Sequence, residues 1–266
     1  MVADGADEWT MRPPDPMSPD VEPARWGLFL DVDGTLLTVR ERPSSVRLDV
    51  AVREALAAVI ALNRGALALV SGRNLEDLDR IFDPLKLPAA GLHGLERRRS
   101  DGEVIYAAAA PALDPTRAAM KAFAATHDRL LLEDKQRSLA LHYRQAPELA
   151  EEVRQLAHSL AKASGDELIA VHGKMVVELK PAYPNKGSAI ADFLSEAPFA
   201  GRLPVFLGDD VTDEDGFKLV NERGGVSVRV GEGESAARYR LPDEAAVADW
   251  LFRLKRSLLD EAGAAQ

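Results

Sequence analysis

The chain has no cysteine, which excludes disulfide bonds, thiolate zinc sites and a thiol nucleophile, and fits a reducing compartment. It has too few basic residues to balance its acids. The formal net charge of -10 argues against a general attraction to nucleic acid or to an anionic membrane. An anionic substrate must therefore be met by local cationic groups. The sequence also lacks an apolar stretch of membrane-spanning length and an N-terminal apolar segment of the signal-peptide kind. Neither nucleic acid nor membrane is expected as a partner. What is present is 266 residues with 46% hydrophobic composition, enough to bury a sizeable core in one large domain or two modest ones. Residues 1–25 contain five prolines among acidic residues and are expected to form a disordered, soluble tail.

The first apolar run, "LFLDVDGTLLTV", contains a conflict: Leu28, Phe29 and Leu30 read as a buried strand, yet Asp31 and Asp33 stand at its end, where charge is costly to bury. Beyond it, Val52, Leu56, Val59 and Ile60 share one helical face, Gly65 stops that helix, and "ALALV" reads as a second buried strand. Asn74 can cap a helix bearing Leu75, Leu78 and Phe82, and "LPAAGL" returns as a strand. This alternation predicts a parallel, doubly wound sheet. A turn at "SDGE" then joins two antiparallel strands.

From about Ala109 the pattern becomes helix, strand, strand, twice over: a helix from Asp114 and Pro115 with "RLLLE" and "SLALHYR", then a helix through Leu149, Val153, Leu156 and Leu160 with "LIAVHG" and "MVVELK". The doubly wound pattern resumes at "NKGSAIADFL" and "PVFLG" and closes on an amphipathic helix around Trp250 and Leu254. The expected fold is α/β. It has a Rossmann-like, doubly wound parallel-sheet core in two parts, 26–108 and 185–266, with an α+β cap inserted over 109–184.

In open parallel sheets ligands bind beyond the carboxyl ends of the strands, and the polar groups here collect at those ends. Asp31 and Asp33 follow the first strand, Ser71 the second, His93 the third and Asp209 and Asp210 a late one, while Lys186 starts the helix preceding that late strand. Taken singly, "DVDGT" is a turn, Ser71 a cap, Lys186 a surface lysine and "GDDVTDED" an acidic helix start. An EF-hand is excluded because glycine is fourth, at Gly34, and the twelfth position is Arg42. Together the acids make a hard oxygen site suited to magnesium beside a substrate phosphate. Ser71 and Lys186 would meet the phosphate oxygens, with backbone amides near Gly34 and Thr35.

"DVDGT", "SGR", the lysine of "NKG" and "GDDVTDED", in this order, resemble the four signature motifs of the haloacid dehalogenase phosphatase superfamily. "GALALVSGRNLEDLD", "GLHGLERR", "LALHYRQAP", "VVELKP" and "PVFLGDDVTDEDGF" are similar to the trehalose-6-phosphate phosphatase family, over about Trp26 to Trp250. The resemblance implies a magnesium-dependent cytoplasmic phosphatase that hydrolyses trehalose 6-phosphate through an aspartyl-phosphate, in the final step of trehalose biosynthesis. Asp31 is then the nucleophile, and Asp33 protonates the leaving sugar oxygen and later activates water. Asp31, the main-chain carbonyl of Asp33 and Asp209 hold magnesium, with Asp210 and Asp213 tuning the metal shell. Ser71, Gly72, Lys186, Gly34 and Thr35 bind phosphate, and Glu133, Lys135, Arg144 and Glu178 of the cap bind the sugar.

His93 and Glu96 are candidates for support of the site or for structural roles. A functional link to a trehalose-6-phosphate synthase follows from the resemblance alone. The alternatives left open are a phosphatase of sucrose 6-phosphate, mannosyl-3-phosphoglycerate or a monosaccharide phosphate, and a catalytically silent sugar-phosphate sensor. Intact Asp31 and Asp33 argue against the sensor, because binding alone does not require both a nucleophile and an acid.

Overall fold

The structure is a computed structural model that describes residues 12–15, 22–38, 48–108, 110–165, 167–173 and 175–264. The chain divides into two compact units, Met1–Tyr106 with Asn185–Gln266, and Ala107–Pro184. The first stretch of the first unit contains β1 (Trp26–Leu30), α1 (Val50–Leu62), β2 (Leu67–Val70), α2 (Leu75–Phe82), β3 (Ala89–Gly91), β4 (Glu96–Arg98) and β5 (Val104–Tyr106). The second unit contains α3 (Leu113–Ala125), β6 (Leu131–Asp134), β7 (Leu139–His142), α4 (Ala150–Ala163), β8 (Leu168–Gly173) and β9 (Val176–Pro181). The chain returns to the first unit with α5 (Lys186–Leu194), β10 (Leu203–Gly208), α6 (Glu214–Glu222), β11 (Val226–Val230), β12 (Tyr239–Leu241) and α7 (Glu244–Ala264).

In the first unit an 8-stranded sheet runs in the order β12-β11-β10-β1-β2-β3-β4-β5. It is parallel from β12 to β3, whereas β4 is antiparallel to β3 and to β5. The central strands are apolar at every position because both faces are covered. Side chains alternate between those faces along each strand. Leu28, Leu30, Val205 and Leu207 therefore join α1, α2 and α7 in one core, and Phe29 and Phe206 join α5 and α6 in the other. The ring of Phe29 lies 5.2 Å from that of Phe199 and 6.0 Å from that of Phe193. Truncating such a fully buried aromatic costs about 3–5 kcal/mol. From β1 the chain builds outward through β2 and β3 on one side, and later through β10, β11 and β12 on the other. The reversal falls between β1 and β10, and it makes the crevice at their carboxyl ends the natural ligand site.

The second unit is a 4-stranded antiparallel sheet, ordered β6-β7-β9-β8. Leu139, Leu141, Val177 and Leu179 bury one face in a core shared with Met120 of α3 and Val153 of α4. The cross-strand row Glu133, Ala140, Glu178 lies on the opposite face, since side chains alternate along each strand.

Three details differ from the sequence reading. Tyr239–Leu241 forms β12, which was not anticipated within "GEGESAARYRL". β4 turns back on β3, so the sheet is mixed at that edge. Parts of the expected tail make contacts: Trp250 Nε1 donates to the Pro14 carbonyl at 3.3 Å, Arg253 pairs with Asp15, and Pro23–Arg25 form a turn of 3₁₀ helix. The rest of that tail, residues 1–11 and 16–21, and Ala109, the expected start of the cap, lie outside the described residues. Among the described residues no helix is long and apolar enough to cross a membrane.

Candidate active site

Asp31 sits one residue beyond β1, still tied into the sheet because its N–H donates to the Leu207 carbonyl of β10 at 2.9 Å. The residue is 4% exposed. Asp209 follows β10 directly, and Asp213 begins the approach to α6, its Oδ2 accepting from the main-chain N–H groups of Asp209 at 3.0 Å and Asp210 at 2.9 Å. Lys186 reaches the same point from the first turn of α5. A capping box fixes that turn: Asn185 accepts from the Ser188 N–H at 2.9 Å, and the Ser188 hydroxyl accepts from the Asn185 N–H at 2.9 Å. Lys186 Nζ then donates to Asp31 Oδ1 at 2.8 Å and to Asp213 Oδ1 at 2.6 Å.

The ammonium thus bridges two carboxylates of a group of three, since oxygens of Asp31, Asp209 and Asp213 all lie within 4.8 Å of one another. Burial pushes the Asp31 carboxyl well above the usual range, and Asp213 and Asp209 push it further against the opposing pull of Lys186. Burial and then Asp213 push Asp209 up to about 6. Burial acts to lower the Lys186 ammonium, but Asp213 and Asp31 more than offset it and hold the lysine charged. Asp209 Oδ1 is buried and has no hydrogen-bond partner among the described residues. An all-oxygen set with surplus negative charge and an orphaned carboxylate oxygen fits a hard divalent cation.

The backbone is shaped to this cluster. Gly34 has φ +78°, and a methyl group on it would lie 2.0 Å from Asp209 Oδ2. A side chain there is excluded both by conformation and by space. Beside it Thr35 is fully buried, and its hydroxyl has no partner among the described residues. Ser71 is buried at the end of β2 and its hydroxyl accepts from the Arg73 N–H at 3.2 Å. A methyl group on Gly72 would come within 2.7 Å of the His93 ring, so the "SGR" turn packs directly against that imidazole. Glu96 Oε1 accepts from the Leu75 N–H at 2.5 Å, which caps α2 and ties β4 to the same loop.

The expected residues divide accordingly. Asp31, Asp209, Asp213 and Lys186 are brought together, with Gly34 against Asp209. Asp210 is exposed and its carboxylate accepts from the Val211 N–H at 2.6 Å, while its own N–H donates to Asp213 Oδ2 and its charge acts to raise Asp209. Asp33 is instead clasped by Arg73, a residue the sequence reading did not single out although it completes "SGR".

In the second unit Ser138 donates to Glu178 Oε1 at 2.6 Å, and Lys135 lies 3.6 Å from Glu178 Oε2. Glu133 Oε2 lies 2.9 Å from His142 Nε2. His142 and Ser138 were also missed, though both fall inside the quoted "SLALHYR". The hydrogen bond from His142, followed by the positive charge of Lys135, holds the Glu133 carboxyl below its usual range against the effect of burial. Arg144 is exposed beyond β7, outside this group.

A family profile described as Trehalose-phosphatase matches residues 29–245. A probable trehalose-phosphate phosphatase of Sinorhizobium fredii is 45% identical over 206 residues, covering 77% of this chain and 78% of that protein. The trehalose-6-phosphate phosphatase of Escherichia coli is 39% identical over 237 residues, covering 88% of each. Among solved structures, the C-terminal domain of the C. albicans trehalose-6-phosphate phosphatase has a TM-score of 0.77 at 20% identity, covering 88% of this chain and 92% of that one, and shares the fold. Since the profile takes in the carboxylate cluster, the lysine and the whole of the second unit, this chain belongs to the trehalose-phosphatase family.

Proposed function

We propose that the chain hydrolyses trehalose 6-phosphate to trehalose and inorganic phosphate, with Asp31 as the nucleophile. The observation that carries this reading is the group of buried Asp31 and Asp213 with partly buried Asp209 beside Lys186, where the parallel sheet reverses direction, in a member of this family. An Asp31 oxygen attacks phosphorus, the bond from phosphorus to the sugar oxygen breaks, and Asp33 gives its proton to the departing alkoxide. Asp33 then takes a proton from water, whose oxygen displaces Asp31 from phosphorus. Phosphate is released and Asp31 returns as a carboxylate. Splitting one displacement into two avoids direct attack by water on an unprotonated ester.

Ser71, Gly72 and Lys186, with the main chain at Gly34 and Thr35, hold the phosphoryl oxygens. The groups that would hold a divalent cation are Asp31, the Asp33 carbonyl and Asp209, oriented by Asp213 and Asp210. Magnesium, when bound, neutralises charge between carboxylate and phosphate. We assign choice of sugar to the second unit, through Glu133, Lys135, Arg144 and Glu178, since the phosphate is common to every candidate substrate. The names of the S. fredii and E. coli relatives support the disaccharide phosphate, which a trehalose-6-phosphate synthase would supply.

Phosphate release across phosphorylated mono- and disaccharides tests the reading. Trehalose 6-phosphate should have the highest kcat/KM. A clear preference for sucrose 6-phosphate, mannosyl-3-phosphoglycerate or a hexose phosphate would overturn it.

A further inference from the structure

Asp33 must act twice in the proposed reaction, and its side chain stands in the turn after β1 without the burial that fixes Asp31. Arg73 holds it. Arg73 Nε donates to Asp33 Oδ2 at 2.6 Å and Nη2 donates to Oδ1 at 2.5 Å, the two-pronged guanidinium–carboxylate arrangement that fixes orientation as well as distance. The Arg73 side chain is 11% exposed and that of Asp33 38%, so the clamp is anchored from the protein side and presents the carboxylate outward. Among the described residues no other side chain donates a hydrogen bond to Asp33.

Arg73 is in turn held by its backbone. Its N–H donates to Ser71 Oγ at 3.2 Å and its carbonyl accepts from the Leu92 N–H at 2.9 Å, while the His93 N–H donates to the Ser71 carbonyl at 2.8 Å. Leu92 and His93, which make two of these bonds, lie side by side in the left-handed region, at φ +48° and +59°. Two consecutive non-glycine residues in that region mark a segment whose surroundings impose its conformation. The turn after β3 therefore fixes the "SGR" loop, and that loop fixes the guanidinium.

We infer that Arg73 is the positioning residue for Asp33: the guanidinium takes one lone pair on each carboxyl oxygen, and so aims the remaining lone pair, which carries the proton to be donated, at the leaving sugar oxygen. The inference rests on Asp33 being the proton donor of the reaction proposed above. An arginine that binds phosphate directly, or one that merely supports the loop, would serve all phosphate esters equally. A clamp on the acid serves only those esters whose leaving group needs a proton.

The test compares kcat/KM, which reports the first half-reaction, for trehalose 6-phosphate and for p-nitrophenyl phosphate, whose phenolate departs unprotonated. The proteins are wild type, Asp33→Asn, Arg73→Ala, Arg73→Lys and the Asp33→Asn/Arg73→Ala double variant, each checked for folding by circular dichroism. Arg73→Ala should lose about 10- to 100-fold on the sugar ester, within the range for general acid catalysis, and little on the aryl ester. Arg73→Lys should fall between it and wild type. The double variant should be no slower on the sugar ester than Asp33→Asn alone, because both changes remove one device.

Equal losses on both esters for Arg73→Ala, or a double variant slower by the product of the single effects, would overturn the inference while leaving the proposed reaction standing. If Arg73→Ala does not fold, the same comparison with Arg73→Lys decides in the same way. Equal losses for Asp33→Asn on both esters would remove the acid assignment and the inference with it. A wild type inactive on both esters would overturn the proposed function itself.

Discussion

In the first unit Asp31, Asp213 and Lys186 are 4%, 0% and 2% exposed, and each carboxylate is tied to main chain or to the lysine. In the second unit Glu133 and His142 stand 49% and 35% exposed on the sheet face opposite that unit's core, and Glu178, its side chain 14% exposed, keeps a serine hydroxyl and a lysine as partners. The two acidic groups differ in what burial does to them. Loss of water raises Asp31 and Asp209, so that their ionised forms need a nearby cation, whereas the His142 hydrogen bond holds Glu133 ionised as a ready acceptor. Enclosed carboxylates suit displacement chemistry, and open ones suit hydroxyl recognition.

The comparison breaks most plainly at Asp31. Asp31→Asn should fold normally and lose about 10⁴-fold or more in turnover, on the sugar ester and on a small aryl ester alike. A folded variant with near-normal turnover would remove the nucleophile. Treatment with chelator should abolish activity on both esters, and magnesium should restore it. Calcium should restore it poorly, because its looser and more numerous coordination does not suit in-line displacement. Undiminished activity with metal shown to be absent would end the cation assignment.

Next in size is Lys186→Ala. Removing the ammonium that bridges the buried carboxylates of Asp31 and Asp213 should lower stability by about 3–5 kcal/mol in denaturant titration, besides impairing both esters. A stability equal to wild type would mean that the carboxylates do not depend on the lysine. Glu178→Ala sharpens the contrast from the other side: a lost charge-assisted hydrogen bond of about 1.5–3 kcal/mol should cost roughly 10- to 100-fold on trehalose 6-phosphate and little on the aryl ester. Equal loss on the two would deny the second unit its role in reading the sugar.

The smallest effect is expected at Glu133. Its folded carboxyl lies below its unfolded value, so its contribution to stability is present above the ordinary glutamate range and disappears as pH falls through the folded value. Wild type should therefore be slightly more stable than Glu133→Gln at neutral pH, and the two should converge in acid. Thermal melts across pH would check this, and a difference that grew as pH fell would reverse the sign of the interaction.

Much of this arrangement was legible before any coordinates. Leu28–Leu30 and the runs after it show where strands end, and acids at those ends in a sheet of this type lead directly to Asp31 and Asp209. Asn74 announces the helix it caps, and the helix that opens at "NKGSAIADFL" places Lys186 in its first turn. The edges were less clear. Three residues, Tyr239–Leu241, carry too little alternation to be recognised as β12, and the reversal of β4 on β3 follows from a turn at Leu92 and His93 that requires positive φ without glycine at either position. Arg73 was visible only as the third letter of a short motif, since its partner Asp33 lies 40 positions away.

The sequence by itself determined the order of helices and strands up to the short edge strand β12, an α+β pattern in the middle of the chain, and the residue types offered at the strand ends, because these depend on local periodicity and on alternation along the backbone. Tertiary structure decided which offered groups meet. Asp213 shares Lys186 with Asp31 because β10 pairs with β1, and Asp33 faces Arg73 because β2 lies on β1's other side. Burial and charge pairing are properties of neighbours in space, and long-range strand pairing creates those neighbours.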